Sequence, residues 1–204
     1  MASGGTFASL GLSQSLQVVS KGVAKKSFLT TATSVTFNTT LSDGGTPLVW
    51  AWPDGTFTTG NSPTKSSLAA GLKRLEVQSR DGFSSLVTFY CNDNSFSGTL
   101  PSFSTCTALV NFYAGYYGNL NQFSSVVPGS FSTQKSCSIL WIYGSALPVS
   151  AVDQVLSDCV TSLGISGRVT CSLNLAGGTN ATPDAAGLTS KATLVSAGWT
   201  VTTN

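Results

Sequence analysis

The sequence predicts an α+β chain: an extended arm over 1–30, a small β unit over 31–82, and a short solenoid of stacked parallel strands over 83–204 with two capping helices. Three observations lead there. The spacing Leu86, Phe89, Cys91, Asn94 returns along the second half of the chain. Charged residues make up 9% of the chain, while Ser, Thr, Val and aromatics abound, which favours strands and turns over solvated helices. Two apolar patterns at helical spacing fall late in the sequence.

The arm is rich in Ser and Gly and carries a faint amphipathic pattern (Leu10, Leu12, Leu16, Val18, Val19) followed by Lys21, Lys25 and Lys26. Leu10, Leu12, Leu16, Val18, Val19, Lys25 and Lys26 are the candidate attachment segment, able to order against a neighbouring subunit. A basic start followed by a sustained apolar run is missing, and no stretch approaches the ~20 apolar residues of a membrane span. Synthesis in a cytoplasm is the expectation. The net charge of +2 is spread over ten bases, so a surface that tracks nucleic-acid phosphates is not expected.

Residues 31–82 alternate and turn as a β unit: TSVTFNTTL, then PLVWAWPDGTFTTGNSP, then GLKRLEVQSRDG, with turn signals at Asp54-Gly55 and Asp81-Gly82. From residue 83 the opening frame repeats as Leu109, Phe112, Ala114, Tyr117, then Ile139, Ile142, Gly144, Leu147, then Thr170, Leu173, Leu175, Gly178, at steps of 23, 30 and 31 residues. Apolar residues two apart in each copy suit a strand stacked on its neighbours. Ser150 reads as an N-cap with Asp153 as its partner, before Val152, Val155, Leu156, Cys159, Val160 and Leu163 at helical spacing. A second helix is expected from Asp184 to Ala197, between Pro183 and Gly198, and Trp199–Thr203 as a closing strand.

Leu86-x-x-Phe89-x-Cys91-x-x-Asn94-x-Phe96-x-Gly98-x-Leu100-Pro101 resembles a leucine-rich repeat. In the later copies Tyr117, Leu147 and Gly178 stand where the repeat has Asn, so a continuous Asn ladder is not expected. Val49-Trp-Ala-Trp-Pro-Asp54-Gly55-Thr56 with Gly60-Asn61-x-Pro63 is similar to the pattern of PKD-like β domains. The tail, LNLAGGTNATPDAAGLTSKATLVSAGWTVTTN, resembles the ending of phage-encoded leucine-rich-repeat-like proteins of virion surfaces and appendages. These resemblances cover about 160 residues, all outside the arm. They imply a non-enzymatic structural protein of a bacteriophage virion, displayed on the particle surface as a head decoration or cement protein. The alternatives are a tail-fibre or receptor-binding protein contacting host surface glycans, and a bacterial surface adhesin. The implied partners are other virion proteins, the major capsid protein or tail components, and further copies of the chain, with host glycan a possible partner.

The chain has no His, so Ser-His-Asp and Cys-His catalysis and His-based metal sites are excluded. The five Cys (91, 106, 137, 159, 171) are an odd set without a C-x-x-C, which argues against zinc and against a complete disulfide framework. Asp153 and Asp158 stand five apart on one helix, about 140° round, and do not converge. The Ser62–Lys65 and Ser132–Lys135 strings lack the companions of a Ser–Lys site, and Asn92-Asp93-Asn94 lacks the Gly and closing Glu of a calcium loop. No cofactor is expected.

One constellation carries functional weight. Residues between the inward positions face outward, in columns read as Thr88/Asn111/Trp141 and Tyr90/Tyr113/Tyr143/Asn174. Tyr90, Tyr113, Tyr143, Trp141 and Asn111 form the candidate interaction surface. Three uses stay open for it: rings packing on one another across strands, contact with a subunit or capsid, and contact with host glycan.

Overall fold

The computed structural model describes residues 24–42, 47–79, 82–115 and 121–204. These form a mixed α+β structure, mostly β sheet, with two helices among the described residues. The expected arm residues Leu10, Leu12, Leu16, Val18 and Val19 lie outside them, as do Asp81 and Tyr117.

In chain order the strands of the first half are β1 (Ala24–Thr30), β2 (Val35–Thr36), β3 (Asn38–Leu41), β4 (Val49–Ala51), β5 (Phe57–Thr59), β6 (Thr64–Lys65) and β7 (Lys73–Ser79). In the second half β8 (Leu86–Tyr90) is followed by β9 (Phe96–Leu100), β10 (Asn111–Gly115) by β11 (Gln122–Val126), and β12 (Ile139–Ile142) by helix α1 (Val149–Ser162). Then β13 (Ser172–Asn174) is followed by helix α2 (Ala185–Ser196), and β14 (Thr200–Thr202) ends the chain.

One six-stranded sheet runs β14-β13-β12-β10-β8-β3. Its five strands from the second half are mutually parallel, and β3 adds to β8 antiparallel. A second sheet runs β11-β9-β1-β7-β4-β5, with β11 and β9 parallel and the rest antiparallel. The β unit and the repeats therefore share both sheets: β3 continues the parallel sheet and β1 pairs with β9. Each of the first four parallel strands is followed by a return segment in a second layer, first β9, then β11, then α1 against β11, then α2 against α1. The Asp54-Gly55 signal is met as the turn between β4 and β5, where Gly55 takes φ +79° and its N–H donates to the Trp52 carbonyl.

Between the layers lies one apolar core. Across the parallel sheet Phe89, Phe112, Leu140 and Leu173 occupy one line, all nearly inaccessible. Phe89 stacks on Phe112 at 5.9 Å, and Phe103 meets Phe112 edge to face at 4.7 Å. Phe28 of β1 stacks on Phe89 at 5.8 Å, tying the β unit to the first repeat. Burial of each such ring contributes about 1.5–3 kcal/mol.

Two corrections concern β1 and α1. Lys25 and Lys26, expected in the arm, belong to β1, which pairs along its whole length with β7. Alternation turns Lys26, Phe28 and Thr30 inward, and Lys26 is only 4% exposed. Its ammonium lies over the rings of Phe83 and Phe103, at 4.6 and 4.5 Å, and donates to the Ser102 carbonyl. Lys25 faces outward and pairs with Glu76 at 3.6 Å. Helix α1 starts one residue before Ser150: Pro148 is its cap, and the Pro148 carbonyl accepts from Ala151 and Val152. Asp153 does not close a capping box on Ser150; its carboxylate accepts the Asp184 N–H at 3.3 Å instead. Helix α2 follows the expectation closely, with Asp184 as a true N-cap accepting from Ala186 and Gly187.

Candidate functional site

The outer face of the parallel sheet is built by register. Cross-strand partners form a row of six side chains, one per strand: Asn38, Tyr90, Tyr113, Trp141, Asn174 and Thr202. A second row runs beside it through Thr40, Thr88, Asn111, Ile139, Ser172 and Thr200. Neither row holds a charged residue. Successive residues of a strand alternate faces, so these rows stand opposite the Phe89–Phe112 core line.

The three rings are in contact. Tyr90 and Tyr113 lie face to face at 4.4 Å with planes 5° apart, and Trp141 meets Tyr113 edge to face at 5.3 Å. The indole N–H of Trp141 donates to Ser172 Oγ at 3.3 Å. Burial, and secondarily the neighbouring Tyr90 hydroxyl, push the Tyr113 phenol above its ordinary pKa. All three rings remain half-exposed. Self-packing, one of the three uses left open, therefore occurs while a face stays accessible.

The columns differ from the expected ones. Trp141, not Tyr143, pairs with Tyr113, and Ile139, not Trp141, follows Asn111. The third repeat is in frame as Cys137, Leu140, Ile142, two residues earlier than Ile139, Ile142, Gly144. Every position from Ile139 to Ile142 is apolar, so the local pattern offered no contrast between frames. Strand pairing chose between them. Tyr143 sits in the turn after β12, where its carbonyl lies against Gly115 and its ring against Gly177. It is not part of the row.

At the β3 end the row opens into a groove of 510 Å³ whose rim includes Ser34, Thr36, Asn38, Tyr90, Asn92 and Asp93. Asn92 Nδ2 donates to Asp93 Oδ2 at 2.8 Å, and Asn38 Oδ1 accepts from Ser62 Oγ at 3.0 Å. Beneath the rim, buried Asn94 bonds both the N–H and the carbonyl of Thr36, at 2.8 Å each. Sequence reasoning found the rings but missed Asn38, because the partnership of β3 with β8 joins segments some fifty residues apart. Among the described residues no group of three or more His, Cys, Asp or Glu is placed to hold a metal ion.

No family model, curated protein or solved structure matches this chain.

Proposed function

We propose that the chain is a non-enzymatic structural protein of a bacteriophage virion, displayed on the particle surface as a head decoration or cement protein. The observation that carries this reading is the uncharged outer row with its three contacting rings, a laterally presented surface that opens into the groove at its β3 end. The phage-like tail sequence supports it from a second side. Five parallel strands with returns at β9, β11, α1 and α2 support reading residues 83–204 as a leucine-rich-repeat-like solenoid. In that reading β3 and β1 cover its first coil, while α1 and α2 are the returns of the third and fourth coils and β14 its last rung.

The mechanism is surface burial. A low-charge face loses little solvation when covered, and its aromatic centre supplies contact area. The half-exposed rings also favour a second reading, a tail-fibre or receptor-binding protein whose aromatic face meets host glycans. Gel densitometry of purified virions separates the two: hundreds of copies per particle indicate the head, tens or fewer the tail. Absence of the chain from purified particles overturns both and leaves the bacterial adhesin.

A further inference from the structure

We infer that the outer row from Asn38 to Asn174, together with the groove beside Tyr90, is a binding site for a neutral saccharide. The inference deepens the reading of this sheet face as a displayed contact surface and names the class of ligand it takes.

Four observations converge on that chemistry. First, the row has a fixed order: an amide, three rings, an amide, in register on five adjacent strands. Neighbouring strands are about 4.8 Å apart, so the three rings span about 10 Å; Tyr90 and Tyr113 cover each other's facing sides, and Tyr90 also lines the groove. A sugar presents C–H faces to rings and hydroxyls to the polar groups around them, and Asn is suited to hydroxyls because it both donates and accepts. Second, the flanking row adds Asn111, Ser172 and Thr200 around the apolar Ile139, again without a charge. A phosphorylated or sulfated ligand would find no cation there. Third, the groove at the Tyr90 end is walled by that ring and by the Ser34, Thr36, Asn38 and Asn92 side chains, with Asp93 its one carboxylate. A concave site with an aromatic wall and a few placed polar groups is the usual form of a small-ligand site. Fourth, the rings hold one another: the 4.4 Å Tyr90–Tyr113 stack and the Trp141–Ser172 hydrogen bond fix the platform before any ligand arrives, which lowers the entropy cost of binding.

The test uses the full chain and a panel of oligosaccharides: cellohexaose, maltohexaose, chitohexaose and mannohexaose, with heparin as the anionic control. Of the four Trp, Trp50, Trp52 and Trp199 are at most 4% exposed and Trp141 is half-exposed, so acrylamide quenching of Trp fluorescence reports on Trp141. At least one neutral oligosaccharide is expected to protect Trp141 saturably at millimolar concentration or below, unaffected by added salt. Tyr113→Ala and Tyr90→Ala are each expected to weaken that binding about tenfold, the loss of roughly one ring contact. Asn92→Ala, a rim change that leaves the core untouched, is expected to weaken it several-fold while the circular-dichroism melt stays unchanged.

Three results overturn the site: no neutral member of the panel binds the folded chain; binding survives Tyr90→Ala and Asn92→Ala unaltered; or only heparin binds, with an affinity that falls as salt rises. Analytical ultracentrifugation gives a fourth. An oligomer that Tyr113→Ser dissociates shows the row to be covered by a second copy of the chain. The outcome is separable from the particle assignment. A chain missing from virions that still binds an oligosaccharide overturns only that assignment, and an abundant virion component that binds none overturns only the saccharide site.

Discussion

Asn121 and Asn180 make corresponding hydrogen bonds, Asn121 on the second repeat and Asn180, with additional ones, on the fourth. Asn121 Nδ2 donates to the Cys91 and Ala114 carbonyls at 2.9 and 2.6 Å, and its Oδ1 accepts from Phe96 N–H at 2.9 Å. Asn180 Nδ2 donates to the Ile142 and Leu175 carbonyls at 2.7 and 2.9 Å, and its Oδ1 accepts from Leu147 and Ser145 N–H at 3.0 and 2.8 Å. Each amide thus ties a carbonyl at the end of its own strand to one at the end of the preceding strand. With Asn94 performing a related task on β2, buried amides serve the first, second and fourth repeats while buried Ser145 stands at the third, so the Asn ladder is not continuous, as expected, but its later members are Asn121 and Asn180.

Replacing Asn121 or Asn180 with Ala takes the side-chain partner from three or more buried backbone groups at once. Each variant is expected to lose roughly 2–4 kcal/mol, since an unsatisfied buried group costs about 1–3 kcal/mol. Urea unfolding followed by circular dichroism measures this. Thr179→Ala, at an exposed neighbour, should cost under about 1 kcal/mol.

Gly115 marks where the second and third repeats come closest. A Cβ there would stand 1.9 Å from the Tyr143 carbonyl oxygen, a backbone atom that cannot swing aside. Gly115→Ala is therefore expected to destabilise by about 2 kcal/mol or more through overpacking. Gly178→Ala, whose Cβ would meet nothing within 4 Å, is the control and should be nearly neutral. Thermal melts of the two variants make the comparison.

Lys26 gives a pH signature. Burial lowers its pKa below the ordinary lysine value, and the nearby Cys106 only partly offsets this. At this site the unfolded chain then binds more protons than the folded one between the lowered value and 10.5, so the contribution of Lys26 to stability rises with pH across that window. Lys26→Met should flatten the alkaline rise and leave stability at pH 7 within about 1–2 kcal/mol, because a similar-sized apolar chain refills the space between Phe83 and Phe103. Denaturation midpoints at a series of alkaline pH values show either outcome.

At the acid end, Asp54 gives a slope of the same sign, stability rising with pH, from a different cause. Hydrogen bonds from Lys65 and then Thr56 hold its carboxyl down at about 2, and the Lys65 ion pair measures 2.7 Å. Its contribution is complete above the ordinary carboxylate value and disappears as pH falls through about 2. Asp54→Asn is expected to reduce the pH dependence of stability in that acid window without altering the fold, as acid titration of the melting temperature would reveal.

All five thiols are reduced and at most 3% exposed. They are expected to react with a disulfide reagent only after denaturant is added. Burial raises the pKa of Cys91 and Cys159 further, which holds them in the unreactive thiol form while the fold lasts. Thiol titration in stepped urea follows their release.

Much of this architecture was readable residue by residue. Period-two alternation marks Phe89, Cys91, Phe112 and Ala114 as inward, and alternation depends only on neighbours along the strand. Helix α2 was readable for the same reason, since Asp184 caps it and Gly198 follows it within one local stretch. The outward orientation of Tyr90, Tyr113 and Trp141 also follows from local pattern. What stacks on what does not. A return segment can gain or lose residues without disturbing the alternation inside a strand, so the true step from Phe112 to Leu140 and the pairing of Trp141 with Tyr113 were settled by hydrogen bonds between strands. The same holds for Asn121 and Asn180, which stand seven and five residues past Ala114 and Leu175 where Asn94 stands three past Cys91. Lys26 and Asn38 complete the list: one is drawn into the core by its place in β1, the other set beside Tyr90 by β3. Side-chain direction is a property of each strand alone, whereas registry and company belong to the assembled sheet.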